Sequence, residues 1–236
     1  MKSVYQHLTE RSSPVAKREL ITDPDLVEQL VLSSGRNNII RVQDLLNAGV
    51  DPNAKNSWGE VPLMRSLKNS DAIEVSKLLL NYGAQASLIE HKTIKFMTKE
   101  AFDLVKSELN EEDVFNAVSN NIRDNDYGSI LFKLDNIKKQ DYLDSLLYDA
   151  FIYCPSCVDK LLKRKANIDA LNEYSNITPL MRATKNNDLE TVKKLLELGA
   201  QTDVVGKYRK TAMDYVSTLH NQETAQKIKE LLLQYS

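Results

Sequence analysis

Glycine and proline are scarce, seven and six among 236 residues, too few for the many tight turns of an all-β sandwich. The only cysteines, Cys154 and Cys157, stand three apart. A pair so close cannot staple distant parts of the chain, so a disulfide framework is not expected and a reducing, cytoplasmic setting is. No apolar run approaches the ~20 residues that span a bilayer. Met1 to Arg11 lacks the apolar core of a secretory signal, so a soluble chain without a cleaved leader and without a membrane partner is expected. Charge of one sign is not in excess either. Lys+Arg 31 against Asp+Glu 33 leaves a formal −2, which selects no bulk partner and does not favour nucleic acid. The three histidines, His7, His91 and His220, are scattered, so the cysteines have no second pair of zinc ligands. A Gly-rich phosphate loop and a nucleophile with a recognisable base are both missing. No enzyme, cofactor or metal is expected.

What the chain does have is 42% hydrophobic residues, enough for a core, and an internal repeat, the feature to look for before any element is assigned. Val61-Pro62-Leu63-Met64-Arg65 lines up with Thr178-Pro179-Leu180-Met181-Arg182, and Leu79-Leu80-Asn81-Tyr82-Gly83-Ala84-Gln85 with Leu195-Leu196-Glu197-Leu198-Gly199-Ala200-Gln201. The first offset is 178 − 61 = 117 and the second 195 − 79 = 116, so the earlier copy carries one inserted residue before its second helix. Gly49 to Gly83 and Lys165 to Gly199 are each 34 residues, and Thr178 to Thr211 is 33, which sets the period.

Each unit reads as a turn, a short helix opened by Pro, a polar break, and an amphipathic helix ending three residues before Gly. Leu26 to Ser34, the break Gly35-Arg36-Asn37-Asn38, and Ile39 to Leu46 make the first. Gly59-Glu60-Val61-Pro62-Leu63, Thr178-Pro179-Leu180 and Gly49-Val50-Asp51-Pro52-Asn53-Ala54 together resemble the ankyrin repeat, strongly over roughly 26–88 and 172–236. The family's motif has His where Met64 and Met181 stand here, so the hydrogen bonds that His gives the neighbouring loop are absent. Between 89 and 140 the markers fade, yet Ile94–Met97, Ala101–Leu109, Asp113–Asn121 and Tyr127–Leu134 keep helical apolar spacing and read as two degenerate helix pairs. Tyr142–Ile152 and Ser156–Arg164 regain the frame. The resemblance implies an all-α solenoid of six to seven helix pairs with short hairpin-like fingers, covering residues 26–236. Residues 1–25 are read as an N-terminal arm or capping segment.

That fold implies protein–protein recognition through finger loops and a concave helix face, by a monomer. In the family, members serve as scaffolds, inhibitors, adaptors or effectors delivered into a host cell. Trp58, Tyr142 and Tyr208 lie three residues before a Thr-Pro-Leu equivalent and Tyr174 four before, where finger residues point outward, so these aromatics are candidate partner anchors. Arg65 and Arg182, just past the two methionines, join them. Two other readings compete. Cys154-Pro155-Ser156-Cys157 resembles a thioredoxin redox centre, although that chemistry needs a preceding strand. Residues 100–149 carry a net −7 and residues 160–210 a net +5. Lys160, Lys163, Arg164, Lys165, Lys193, Lys194, Lys207, Arg209 and Lys210 therefore offer a basic face to nucleic acid or an acidic partner.

Overall fold

The computed structural model describes residues 20–219 and 221–236. The first nineteen residues of the expected arm therefore lie outside the described part. The chain divides between Ile89 and Glu90 into two compact units.

The first unit holds two helix pairs, α1 (Pro24–Gly35) with α2 (Ile39–Asn47) and α3 (Pro62–Leu67) with α4 (Ile73–Asn81). α1 starts two residues earlier than the apolar pattern suggests. The Asp23 side chain accepts from the N–H groups of Asp25 and Leu26, and Pro24 takes the first helical position, where a missing N–H costs nothing. Asp23-Pro24 thus opens the first repeat rather than ending an arm. α1 packs on α3 and α2 on α4, burying Leu30, Val31, Leu63, Leu67, Val42, Val75 and Leu79. Ile21 pairs with Val50 in an isolated parallel bridge. The inserted residue of this copy is taken up by a 3-10 turn, Ser70–Ala72, ahead of α4.

The second unit holds five pairs: α5 (His91–Ile94) with α6 (Lys99–Val105), α7 (Glu111–Arg123) with α8 (Tyr127–Lys133), α9 (Gln140–Tyr153) with α10 (Val158–Lys163), α11 (Pro179–Lys185) with α12 (Leu189–Glu197), and α13 (Ala212–Val216) with α14 (Gln222–Gln234). First helices lie on first helices, α5 on α7, α7 on α9 and α11 on α13, and second on second, α6 on α8 and α12 on α14. Among the described residues there is no strand. Over the described residues the fold is all-α, with seven helix pairs, as the repeat implies.

Two backbone devices recur. At the end of the second helix, Gly49, Gly83 and Gly199 take φ of 97°, 89° and 89°. There the glycine N–H reaches the carbonyl of Leu46, Leu80 or Leu196, and the next N–H reaches that of Leu45, Leu79 or Leu195. The same pair of bonds recurs at Lys165, whose N–H reaches Leu162 O while Ala166 N–H reaches Leu161 O, at a Lys165 φ of 64°. Its place in the glycine frame is confirmed, in a conformation that a side chain makes costly. Between the helices, Asn37, Asn125 and Asn187 each adopt φ of 55–59°. The next residue, Asn38, Asp126 or Asp188, caps the following helix by accepting from Arg41, Ser129 or Thr191 N–H.

Candidate binding surface

The fingers are built from asparagine turns. The Asn56 side chain accepts from Trp58 and Glu60 N–H at 3.1 and 2.9 Å, and Asn56 N–H closes the loop on Glu60 O. Its counterpart Asn172 accepts from Tyr174 N–H, Ser175 N–H and the Ser175 hydroxyl, and closes on Ile177 O. The loop 206–210 closes through Gly206 N–H to Lys210 O at 2.9 Å. These closures are hairpin-like without being strands. They leave Trp58, Tyr174 and Tyr208 exposed at 69%, 91% and 77%, so none of the three rings is spent on packing against its own fold.

Tyr142 differs from the placement expected for it. It lies in the first turn of α9, where its ring stacks on Phe115 at 4.3 Å between centroids with Lys139 over it. α8 runs through the 3-10 turn Leu134–Asn136, and only three residues separate that turn from α9, so there is no room for a finger. Arg65 and Arg182 are both tied down by carboxylates. Arg65 Nε lies 2.7 Å from Glu60 Oε2. Arg182 lies 3.4 Å from Asp149 and over the Tyr148 ring at 4.5 Å, joining α11 to α9.

A concave pocket of about 170 Å³ sits between α9 and the following finger, lined by Asp141, Asp144, Tyr148, Leu171 and Glu173 among others. The Tyr148 hydroxyl meets Ser175 Oγ at 3.2 Å, which fixes the finger to the helix. No sequence motif marks this pocket. Its acidic rim follows from Asp141 and Asp144, one turn apart on the same helical face, but the finger's position over them is tertiary.

Part of the charge asymmetry is neutralised inside the second unit. Lys160 and Arg164 reach Asp135, and Arg123 and Arg182 share Asp149. Lys193 lies near Glu197 on α12. By contrast, Lys207, Arg209 and Lys210 have no carboxylate within 4 Å among the described residues.

Cys154 and Cys157 form a disulfide, contrary to the expectation of reduced thiols. The reason is local. The 3-10 turn Pro155–Cys157 brings the two Cα atoms to 5.4 Å, within pairing range. Both residues are buried, and helix α9 precedes them rather than a strand, so the frame of a thioredoxin site is absent from their surroundings. No three His, Cys, Asp or Glu side chains converge as metal ligands among the described residues, and no described helix is long and apolar enough to cross a membrane.

The architecture is that of a helix-pair repeat scaffold. Residues 146–235 match the ankyrin-repeat family, in three copies. The fold is similar to the human ASB11 ankyrin repeat domain, with a TM-score of 0.61 over 88% of this chain and 97% of that one at 18% identity. A further solved structure, the ankyrin repeat domain of Bcl-3 of the IkappaB protein family, gives 0.46 over 92% of this chain and 88% of that one at 20% identity. No curated protein matches the sequence. The family match thus covers residues 146–235, and the likeness to a solved ankyrin repeat domain extends the same fold over most of the chain. Ankyrin repeats are in general protein-binding modules, and the fold is typically a non-enzymatic scaffold.

Proposed function

We propose that the protein binds another protein through its finger tips and the concave helix face beside them. One observation carries this: Trp58, Tyr174 and Tyr208 are held outward by asparagine turns or a closed loop at 69–91% exposure. Large amphipathic rings left in water cost solubility and gain nothing for the fold, whereas they are the side chains that anchor interfaces. Arg65 and Arg182 contribute beside them by presenting the finger and groove rather than as free cations, since both already hold a carboxylate. Tyr142 belongs to the reading only as part of the groove wall, through its stack on Phe115.

The test is site-specific photo-crosslinking in the source cell with benzoylphenylalanine at position 58, 174 or 208, and at Lys194 on α12 as the outer-helix control. A discrete adduct from the finger positions and none from position 194 is the expected result. Adducts from position 194 alone would move the site to the opposite face. Replacing Trp58 with Ala should then weaken the captured complex by about 1–4 kcal/mol, as loss of an aromatic anchor does.

A further inference from the structure

The two fingers of the second unit form one surface. Leu171 and Val205 are 34 residues apart, as are Tyr174 and Tyr208, so each finger carries an aliphatic residue and, three positions on, a tyrosine. All four are exposed, Leu171 and Val205 at 40% and 54%. The fingers are bound to each other, Lys207 N–H donating to Asn176 O at 2.7 Å. Gly206 is the residue that permits this approach. A Cβ there would stand 2.7 Å from Asn176 O and 2.8 Å from Met181 Sδ. Met181, in the place of the family's His, therefore lies directly under the next finger.

The tip of the second finger is conformationally costly. Tyr208 and Arg209 have φ of 61° and 56°, adjacent left-handed residues that both carry large side chains. Elsewhere, Lys165 apart, the chain gives positive φ to glycine or to asparagine, the latter at positions 37, 125, 176 and 187, where a short polar side chain tolerates it. A fold indifferent to the tip would have the cheaper residue. Strain of this kind is kept where the side chain itself is used.

The chemistry around the tip is cationic and mixed. Lys207, Arg209 and Lys210 follow one another within the loop, with Lys207 Nζ 5.1 Å from the Tyr208 ring centroid. Aromatics among cations also suit a single-stranded nucleic acid. Here, however, the exposed aliphatics Leu171 and Val205 offer a base no stacking face. Glu173 and Asp203, both exposed, would repel a regularly charged phosphate backbone. A peptide can place its carboxylates on the three cations and its apolar side chains on the four hydrophobic ones.

We infer that the paired fingers 171–176 and 205–210 take an extended acidic segment of the partner protein, with Asp or Glu side chains set among apolar ones. This rests on the protein-binding reading above and specifies the partner's chemistry at one end of it. The probe is a random twelve-residue peptide display library selected on the full chain and counter-selected on the Tyr174→Ala, Tyr208→Asn double variant. The retained clones should be enriched in Asp and Glu interspersed with Leu, Ile or Phe. As soluble peptides they should lose at least tenfold in affinity to Tyr208→Asn, and again to Lys207→Glu with Lys210→Glu. Tyr208→Asn should meanwhile keep or raise the melting temperature, because asparagine suits the left-handed backbone; a fall in affinity with no fall in stability separates a used side chain from a structural one. Clones that are neutral or basic, or a selection in which nothing distinguishes the double variant, would overturn the inference. Crosslinks from positions 174 and 208 would in that case still stand for protein binding, whereas their absence removes that reading too. Displacement of the peptides by oligouridine at equal or lower concentration would transfer the surface to nucleic acid.

Discussion

In the repeats that carry Pro and Gly markers, neighbouring loops are joined by short side chains acting on backbone. Asn53 accepts from Gln85 N–H at 2.8 Å and donates to Gly83 O at 2.9 Å, and its counterpart Asp169 accepts from Gln201 N–H at 2.9 Å. Between residues 91 and 139 the same task falls to long side chains. Lys133 Nζ donates to Lys95 O at 2.8 Å and Arg164 to the carbonyls of Leu134 and Ile137, while Asn136, donating to Lys106 O, keeps the short form. Glu111 accepts from Lys139 N–H at 2.7 Å and from Lys138 N–H, and these two bonds hold its carboxyl below the ordinary value. A repeat can therefore lose its consensus loop provided that a long donor or acceptor satisfies the backbone groups the loop would have satisfied. The consensus is one solution to backbone satisfaction among others.

The comparison breaks first if the two regions differ in their cores. Phe102 is fully buried and meets Phe132 edge-on at 5.6 Å, and Leu195 is fully buried on α12. Phe102→Ala should cost about 3–5 kcal/mol and Leu195→Ala about 2–5 kcal/mol in urea melts, through the cavity each leaves. A mild Phe102→Ala would mean that the unmarked stretch is only loosely packed.

Arg164 sharpens the comparison next. It spans α10 to the 134–137 turn with two carbonyls and Asp135. Arg164→Ala should cost about 2 kcal/mol, since partly buried carbonyls lose charged donors. Lys at 164 should not restore this, lacking the fork that reaches several acceptors at once. Equal stability of Arg164→Lys and the parent would show that the clamp is a simple charge.

Lys165→Gly should act with the opposite sign. A lysine at φ 64° occupies the place that three other repeats give to glycine, so the substitution should stabilise by about 1 kcal/mol. A neutral or destabilising result would mean that the lysine side chain supports the fold in some other way.

The legibility of these features follows from where each signal resides. Pro at a helix start, Gly past a helix end and Leu at the buried spacing are properties of single residues in local frames, so the marked pairs and even the one-residue insertion can be read directly. The unmarked pairs are readable from apolar spacing. Their breaks obey a rule visible elsewhere in the chain: Asn125-Asp126 does what Asn37-Asn38 and Asn187-Asp188 do. Lys133 could not be read. A lysine scores as a solvent residue, and only the packing of α8 against α7 and α6 buries it, with its amine on Lys95 O. Tyr142 misleads for a related reason. Its spacing matches the finger row, but the finger itself is deleted before α9. For the binding surface, the positions of Trp58, Tyr174 and Tyr208 are legible from the repeat. The left-handed tip and the joining of two fingers through Gly206 and Asn176 are not.

The smallest expected effect tests the long-donor idea at its most unusual residue. Burial pushes the Lys133 amine down from 10.5 to about 8, opposed by the charge of Asp126 and reinforced by Lys95. Asn121 Oδ1, 3.2 Å away, is the amine's second acceptor. The folded-state value lies below the unfolded one, so between the two the unfolded chain binds more protons and stability rises with pH. Below about 8 both states hold the proton and the penalty is complete; it is relieved as pH climbs toward 10.5. From about pH 7.5 to pH 9 the gain should be at most about 1 kcal/mol. Other groups titrate in that range, so the measurement is the difference between parent and Lys133→Met in urea melts at each pH. Met keeps the length and removes the titration. The parent should gain on the variant as pH rises, whichever is the more stable at neutrality. A constant difference would show that Lys133 keeps its proton throughout, and that the clamp on Lys95 O is made by an amine solvated well enough to behave as an ordinary surface lysine.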